Sequence, residues 1–544
     1  MAERHYPIVF IRGFAARRKD IEATAAEPFD GFNDGSTMMR QVGRDDFERY
    51  YFESPLLRLL SDHGYSVAFH KGEAVLPPVG DRREGFDPRR TVWIYQYYEA
   101  MSASLGNDED GEIDRIPEIA EGLRRLILRI RDEVTGDDAA ARDAFRVNLV
   151  AHSMGGLVAR CYLQNLCVFG PRERSREAAL ELESRTVGPN GELEDSVHLV
   201  NKLFTYGTPH NGIDVKLLGN VPGFSTPFII HSDNFNRERM RRYLAIPDDE
   251  PVNSLAGVFP LDRAFCLVGT NHRDYDIGAS KFATDERGDG LVLIKNATIR
   301  GAPRAFVHRS HGGPLGLVNS ESGYQNLRRF LFGRYRVDLR LRVDEVYHPP
   351  KVEQALLAGA EASGSVVVDT TVTVRGSRYV LHERRGEHQS AALCDLTGDR
   401  LQPESDSPVY LFTGYLLDDP GSRPAHRREI VFYAGLTFFV PRYKVDGPGW
   451  FDEWRIENEV MLARSVYFKL TPRSASAGGG FEAEYRFSDD RRPEGRPIAK
   501  ARMGSSDETG VTTYAIPFGQ KVGAEEPARP GLAATLLLDV REHV

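Results

Sequence analysis

The chain has 544 residues, 41% of them hydrophobic, and a formal charge of −9. That length exceeds one ordinary core and implies two or three domains, and mild acidity without a basic block argues against nucleic acid as a main partner. The four cysteines, Cys161, Cys167, Cys266 and Cys394, form neither a CxxC pair nor a zinc spacing, so reduced, buried thiols in a cytoplasmic protein are expected, with no metal.

In chain order, residues 6–11 form an apolar, β-branched run that reads as a buried strand. The run is too short for a signal-peptide core and ends at Arg12-Gly13-Phe14, a turn. Residues 28–45 read as loop. The apolar spacing over 47–62 predicts a helix ended by Gly64, with Pro55 able to start a new one inside it. A second strand is expected at 65–69, loop at 71–90, and an aromatic stretch packing over the core at 93–101. Ile116, Ile119, Leu123, Leu126, Ile127, Ile130 and Val134 mark a helix over 113–134. A strand begins at Val147 and runs into a turn with Ser153 at its apex; the helix that follows is expected to reach about residue 168.

Residues 170–196 are charged and read as an exposed excursion. A strand at 199–206 closes on Gly207-Thr208-Pro209-His210-Asn211-Gly212. An insertion over about 211–260 carries Leu217, Leu218, Phe224, Phe228, Ile229 and Ile230. It reads equally as a lid or acyl-pocket wall and as an ordinary packed insertion. Strands at 264–269 and 305–308 and a helix at 322–332 follow. No run reaches the ~18 apolar residues of a membrane helix. Alternation of this kind implies a mostly parallel sheet flanked by helices.

After Phe332 the pattern changes. Val337, Leu339, Leu341 and Val343 alternate with Arg336, Asp338, Arg340, Arg342 and Asp344, the period of a half-exposed strand. Further strand-like runs lie at 365–374, 379–382, 409–417, 430–440, 465–470, 481–487, 511–516 and 532–540, with a helical turn near 352–358. The expected division is therefore an α/β domain over 1–333 and an all-β, sandwich-like domain over 334–544. The β domain reads as a stabilising appendage or as a dock for a protein, a second subunit or a membrane surface.

The chemistry concentrates at Val147-Asn148-Leu149-Val150-Ala151-His152-Ser153-Met154-Gly155-Gly156. Strand, sharp turn and helix with small residues two before and two after a serine make a nucleophile elbow; a serine helix cap is the plainer reading. A serine hydroxyl needs a base held by a carboxylate. His152 is too close along the turn to be that base and reads as elbow packing. Two histidines precede the last helix, His308 at a strand end and His311 in the loop beyond. His311 is favoured because a loop side chain can reach the strand tips. Asp289 sits between glycines in Gly288-Asp289-Gly290-Leu291-Val292, with Asp276 and Asp274 behind it as candidates. An acidic stretch, Asp108-Glu109-Asp110-Gly111-Glu112-Ile113-Asp114, echoes a calcium loop but lacks key ligand positions and reads as a solvated loop.

The elbow, Gly207–Gly212, the Asp289 loop and Arg12-Gly13-Phe14 together resemble the α/β-hydrolase superfamily, nearest its lipase-type esterases. The resemblance covers roughly 5–333. It implies the chain order Ser153, Asp289, His311, with backbone N–H groups of Met154 and Phe14 as an oxyanion hole. Arg12 stands where such enzymes usually carry histidine. The implied activity is hydrolysis of a small, lipid-like carboxylic ester with no cofactor. Acyl transfer, thioester or amide cleavage, and a non-catalytic binding protein with a vestigial triad are the alternatives.

Overall fold

The computed structural model describes the chain apart from residues 1–4, 14–35, 42–46, 53, 71–72, 75, 78–80, 83, 96, 98–115, 167–196, 214–234, 274–286, 314, 375–378, 404–407, 418–429, 447–452, 474–479, 489–498, 501, 507–509, 520–530 and 544. It divides into two compact units, Met1–Arg304 with His308–Leu327, and Ala305–Val307 with Arg328–Val544.

A sheet of seven strands comprises β1 (Ile8–Ile11), β2 (Ser66–Val67), β3 (Thr91–Tyr95), β4 (Val147–His152), β5 (Val200–Tyr206), β6 (Ala264–Gly269) and β7 (Arg304–Val307). Between them lie α1 (Pro55–His63), α2 (Ile116–Thr135), α3 (Ala139–Ala144), α4 (Met154–Cys161) and α5 (Arg237–Tyr243), and α6 (Glu321–Phe332) follows β7. The strand order is β7-β6-β5-β4-β1-β3-β2. The pairings from β2 through β6 are parallel. All four residues of β1 are fully buried, as a central strand covered on both faces must be. On α2, Ile116, Ile119, Ala120, Leu123, Ile127 and Ile130 are buried and join Leu149, Ala151, Leu157 and Val158 in one core. The 3.6-residue stripe therefore faces the sheet.

Several stretches differ from the sequence reading, among them Ser36–Gln41 and Glu73–Ala74, strands inside the loops expected over 28–45 and 71–90. Phe47–Phe52 is not helical: it pairs antiparallel with Ser36–Gln41. The helix starts only at Pro55, where Ser54 Oγ accepts the Leu57 N–H at 3.2 Å. Proline supplies a preset first helical residue and a serine cap precedes it, a boundary stronger than the apolar spacing that runs across it. Gly64 does end α1, in the left-handed conformation at φ 64°. Thr91–Tyr95 lies beside β1 as a sheet strand rather than over the core. Its Thr-Val-Trp-Ile-Tyr sequence is a short run of β-branched and aromatic residues.

The second unit is mostly β. Tyr335–Tyr347, Val409–Leu416, Arg502–Ser506, Thr512–Gly519 and Gly531–Glu542 form one sheet of five strands. A second sheet of eight is built around the long ribbon Ile430–Asp446 and Glu453–Pro472. Leu339, Leu341 and Leu538 of the first share a core with Val366, Phe432 and Phe438 of the second. The Phe438 and Phe518 rings meet at 5.4 Å, so the sheets pack face to face. The alternation over 337–343 is realised: the apolar set is buried. Asp338 on the other face is buried too, paired with Arg336 at 2.9 Å and Arg541 at 3.1 Å. The turn expected near 352–358 is a helix, Pro350–Leu357.

Candidate active site

The chain leaves β1 toward β3 on one side and comes back to β4 on the other, so the strand order reverses between β1 and β4. Ile11 pairs with Ala151, which brings the end of β1 beside the end of β4. A crevice at the carboxyl ends of parallel strands opens where the order reverses. Ser153 sits there, at φ 53° and ψ −126°. Positive φ costs a non-glycine residue about 1–2 kcal/mol. The Ser153 N–H donates to the Tyr206 carbonyl at 2.9 Å, which anchors the strained turn to β5. Its side chain makes no capping bond to α4, so the plain helix-cap reading fails.

The turn closes because its neighbours lack side chains. A Cβ on Gly13 would stand 2.7 Å from Ser153 Cβ, and one on Gly155 would stand 2.5 Å from the carbonyl oxygens of both Ile11 and Arg12. The Arg12 carbonyl also accepts the Tyr97 hydroxyl at 2.6 Å. The strand end that must approach Ser153 is thereby held.

Asp289 and His311 converge on the same point. Asp289 Oδ1 accepts the Leu291 and Val292 N–H groups at 3.0 and 2.8 Å, which turns Oδ2 toward His311. Oδ2 lies 2.9 Å from His311 Nδ1, and His311 Nε2 lies 2.9 Å from Ser153 Oγ. A carboxylate only accepts, so Nδ1 carries the proton and Nε2 is left to accept the serine hydroxyl. Ser153, Asp289 and His311 are 6%, 1% and 3% exposed. His308 lies elsewhere: its Nδ1 is 3.3 Å from Thr270 Oγ1. Gly207, at φ 52°, lines the pair; a Cβ there would stand 2.9 Å from Asp289 Oδ2 and 3.2 Å from His311 Nδ1.

The sheet of this strand order carries a strained serine turn between β4 and α4. The fold is that of the α/β-hydrolases. No protein-family model matches the chain, and no curated protein matches it. Among solved structures it is similar to phospholipase PlaB from Legionella pneumophila, at 12% identity and a TM-score of 0.31 over 91% of this chain and 98% of that one. It is also similar to mature lipase BlEst2 from Bacillus licheniformis, at 14% identity and a TM-score of 0.30 over 58% of this chain and 89% of that one.

Two further side chains complete the surroundings: His152, read from the sequence as elbow packing, and Arg160, which the sequence reading does not single out. His152 Nε2 lies 2.9 Å from the His311 carbonyl oxygen. Burial above all, and then the neighbouring His311, push its pKa down to about 3, so it is neutral at ordinary pH. Arg160, fully buried on α4, donates to the carbonyls of His210, Val252 and Ser254 at 2.9, 2.8 and 2.8 Å and to Gln164 Oε1 at 2.8 Å. Burial lowers its pKa to about 10, which leaves it ionised. It ties the Gly207–Gly212 turn and the 252–254 segment to α4, the helix that follows Ser153. A signal for Arg160 existed, an arginine in an otherwise apolar helix; none existed for the reach of His152.

Met154 is the first residue of α4, where backbone N–H groups have no intrahelical partner. Phe14, Asp274, Asp276, the 108–114 acidic stretch and the apolar residues of the insertion from Leu217 to Ile230 lie outside the described residues. Among the described residues no cluster of three or more His, Cys, Asp or Glu is placed to hold a metal, and no helix is long and apolar enough to cross a membrane.

Proposed function

We propose that the chain is a serine hydrolase that cleaves small, lipid-like carboxylic esters through Ser153, His311 and Asp289. One observation carries the reading: the unbroken Ser153–His311–Asp289 hydrogen-bond chain at 2.9 and 2.9 Å. His311 Nε2 takes the hydroxyl proton as Ser153 Oγ attacks the ester carbonyl. Asp289 holds the Nδ1–H tautomer and stabilises the imidazolium. The Met154 N–H, and that of Phe14 beyond Gly13, receive the developing oxyanion. The tetrahedral adduct collapses as His311 returns the proton to the leaving alcohol. Water, activated by the same imidazole, then releases the acid and regenerates Ser153.

The test is chromogenic ester hydrolysis across acyl lengths, run beside fluorophosphonate labelling. Ser153→Ala is expected to abolish labelling and to lower kcat by at least ~10³-fold. His311→Ala should match it within an order of magnitude while His308→Ala stays near wild type. Wild-type turnover by Ser153→Ala sinks the reading. Thioester and amide substrates in the same panel set the bond class, and an added alcohol acceptor reveals acyl transfer.

A specific observation favours a second role for the β unit, contact with a lipid surface. Leu393, Val367, Phe439 and Val460 lie in register across four neighbouring strands of the larger sheet. Leu393 and Val460 are 61% and 58% exposed, with Tyr467 on the same face at 45%, whereas Val367 between them is buried. Co-sedimentation with ester-lipid vesicles should fall when Leu393 and Val460 are both changed to serine; unchanged sedimentation removes this role.

A further inference from the structure

His152 is the residue immediately before the nucleophile, and its ring touches the residue proposed as the base. The His311 side chain must present two nitrogens at once, one to Asp289 and one to Ser153. Its backbone is held on the N-terminal side, where the His311 N–H donates to the Asp289 carbonyl at 2.8 Å. On the C-terminal side the chain runs straight into Gly312-Gly313, with Gly313 at φ 82°, residues with maximal backbone freedom. The His311 carbonyl precedes that glycine pair, whose own carbonyls are held locally, Gly312's by Ser310 Oγ at 3.2 Å and Gly313's by the Gly316 N–H at 2.9 Å. The His311 carbonyl lies 2.9 Å from His152 Nε2, and a carbonyl only accepts, so Nε2 must be the protonated nitrogen of a neutral ring.

We propose that His152 is a positioning residue: its Nε2–H clamps the His311 carbonyl and locks the base to the turn that carries the nucleophile. The inference rests on the Ser153–His311–Asp289 reading above. A base misplaced by a fraction of an ångström loses its near-attack geometry. The clamp sits one covalent link from Ser153, so any shift of the elbow carries the base loop with it. The His152 and His311 rings are 5.0 Å apart, close enough for two positive charges to repel. Three things keep the ring neutral: burial first, then His311 itself, then Arg12 at the end of β1. The imidazolium formed on His311 during attack therefore meets no second cation at that position.

The experiment compares His152→Leu, which cannot donate, with His152→Gln, whose amide nitrogen reaches about as far as Nε2. Both are made in the full chain, and thermal melts check that each folds. For His152→Leu, kcat is expected to fall by roughly 10- to 100-fold with KM nearly unchanged. The acid limb of its pH–kcat/KM profile should move, because a loosened base no longer keeps its bond to Asp289. His152→Gln should recover most of the loss and restore the limb. A second readout needs no turnover: nitrogen-15 spectra of the histidine-labelled chain should show His152 protonated at Nε2 and bare at Nδ1 from pH 5 to 9, in wild type and in Ser153→Ala alike.

The positioning role is overturned if folded His152→Leu keeps wild-type kcat and pH profile, or if Nε2 proves unprotonated. Those results leave Ser153-dependent labelling intact. Wild-type activity in Ser153→Ala instead removes the hydrolase reading, and this one with it, so the two failures are told apart.

Discussion

At the scale of single residues, the site is a set of side chains that the backbone has made room for. Ser153 accepts a strained φ because the small residues around it let strand, turn and helix close in. Gly207 does the same for the other half of the site. Its φ of 52° lies in the left-handed region, and the Cβ it lacks would sit against both Asp289 Oδ2 and His311 Nδ1. Gly207→Ala therefore costs twice, about 1–2 kcal/mol in backbone strain and a displaced Asp289–His311 bond. The expected outcome is a fall in kcat of more than ~10-fold with a smaller change in KM, since under the proposed mechanism the lost interaction acts in the transition state. A Gly207→Ala enzyme with unchanged kcat and only a lowered Tm would show that the Asp289–His311 bond absorbs the shift. Ser153, Asp289 and His311, which the structure brings together, each sit in a distinctive local setting in the sequence: an elbow, a Gly-Asp-Gly loop and a loop after the last strand. The choice between His308 and His311 could not be made by pattern alone. It depends on where β7 ends: the strand stops at Val307 and His308 is drawn to Thr270.

At the scale of elements, the contact that matters is between α4 and the end of β1. Gly155 lies in the first turn of α4, and its missing Cβ would stand 2.5 Å from two backbone oxygens of β1 and its exit. Backbone, unlike a flexible side chain, cannot swing away. Gly155→Ala should therefore push α4 off the sheet and cost about 1–3 kcal/mol. The cost would appear as a lower urea midpoint at constant m, together with loss of fluorophosphonate labelling as Ser153 moves. An unshifted midpoint would mean that α4 and β1 are looser than this approach implies. Most elements could be read from the sequence wherever one period ran unbroken. The α2 stripe and the strand from Tyr335 are examples, since burial on one face imposes a single period on the residues. The failures have physical causes. Across 47–62, aromatic residues fitted a helical spacing, but Pro55 and the Ser54 cap impose a boundary there, and Phe47–Phe52 finds a partner strand in Ser36–Gln41. The five residues Thr91–Tyr95 make too short a run to show a period, and their place in the sheet, between β1 and the edge strand β2, is decided by pairing with β1.

At the scale of the whole molecule, each unit keeps histidines that resist protonation, and this sets how stability depends on pH. In the first unit burial holds His152 down to about 3, and burial with Arg160 nearby holds His210 well below the ordinary histidine range. In the second, burial lowers His348 and His388. The unfolded chain returns each to about 6.5. Below that pH the unfolded state takes up protons that the folded state refuses, so the stability these groups contribute is complete above about pH 6.5 and is lost as pH falls. For His152 the loss continues down to about pH 3. Each histidine kept fully neutral contributes a slope of about 1.4 kcal/mol per pH unit at most. Asp369, whose carboxyl is pushed up by burial, works in the opposite sense, but it starts from the carboxylate range below this window. The urea midpoint should therefore drop steadily between pH 7 and pH 5. His210→Gln should flatten that slope, because the buried side chain next to Thr205 (3.0 Å from His210 Nε2 to Thr205 Oγ1) no longer has a proton to refuse. His198→Gln, at an exposed position, is the control. A midpoint that holds constant from pH 7 to 5 would mean that these rings charge in place, which their burial forbids.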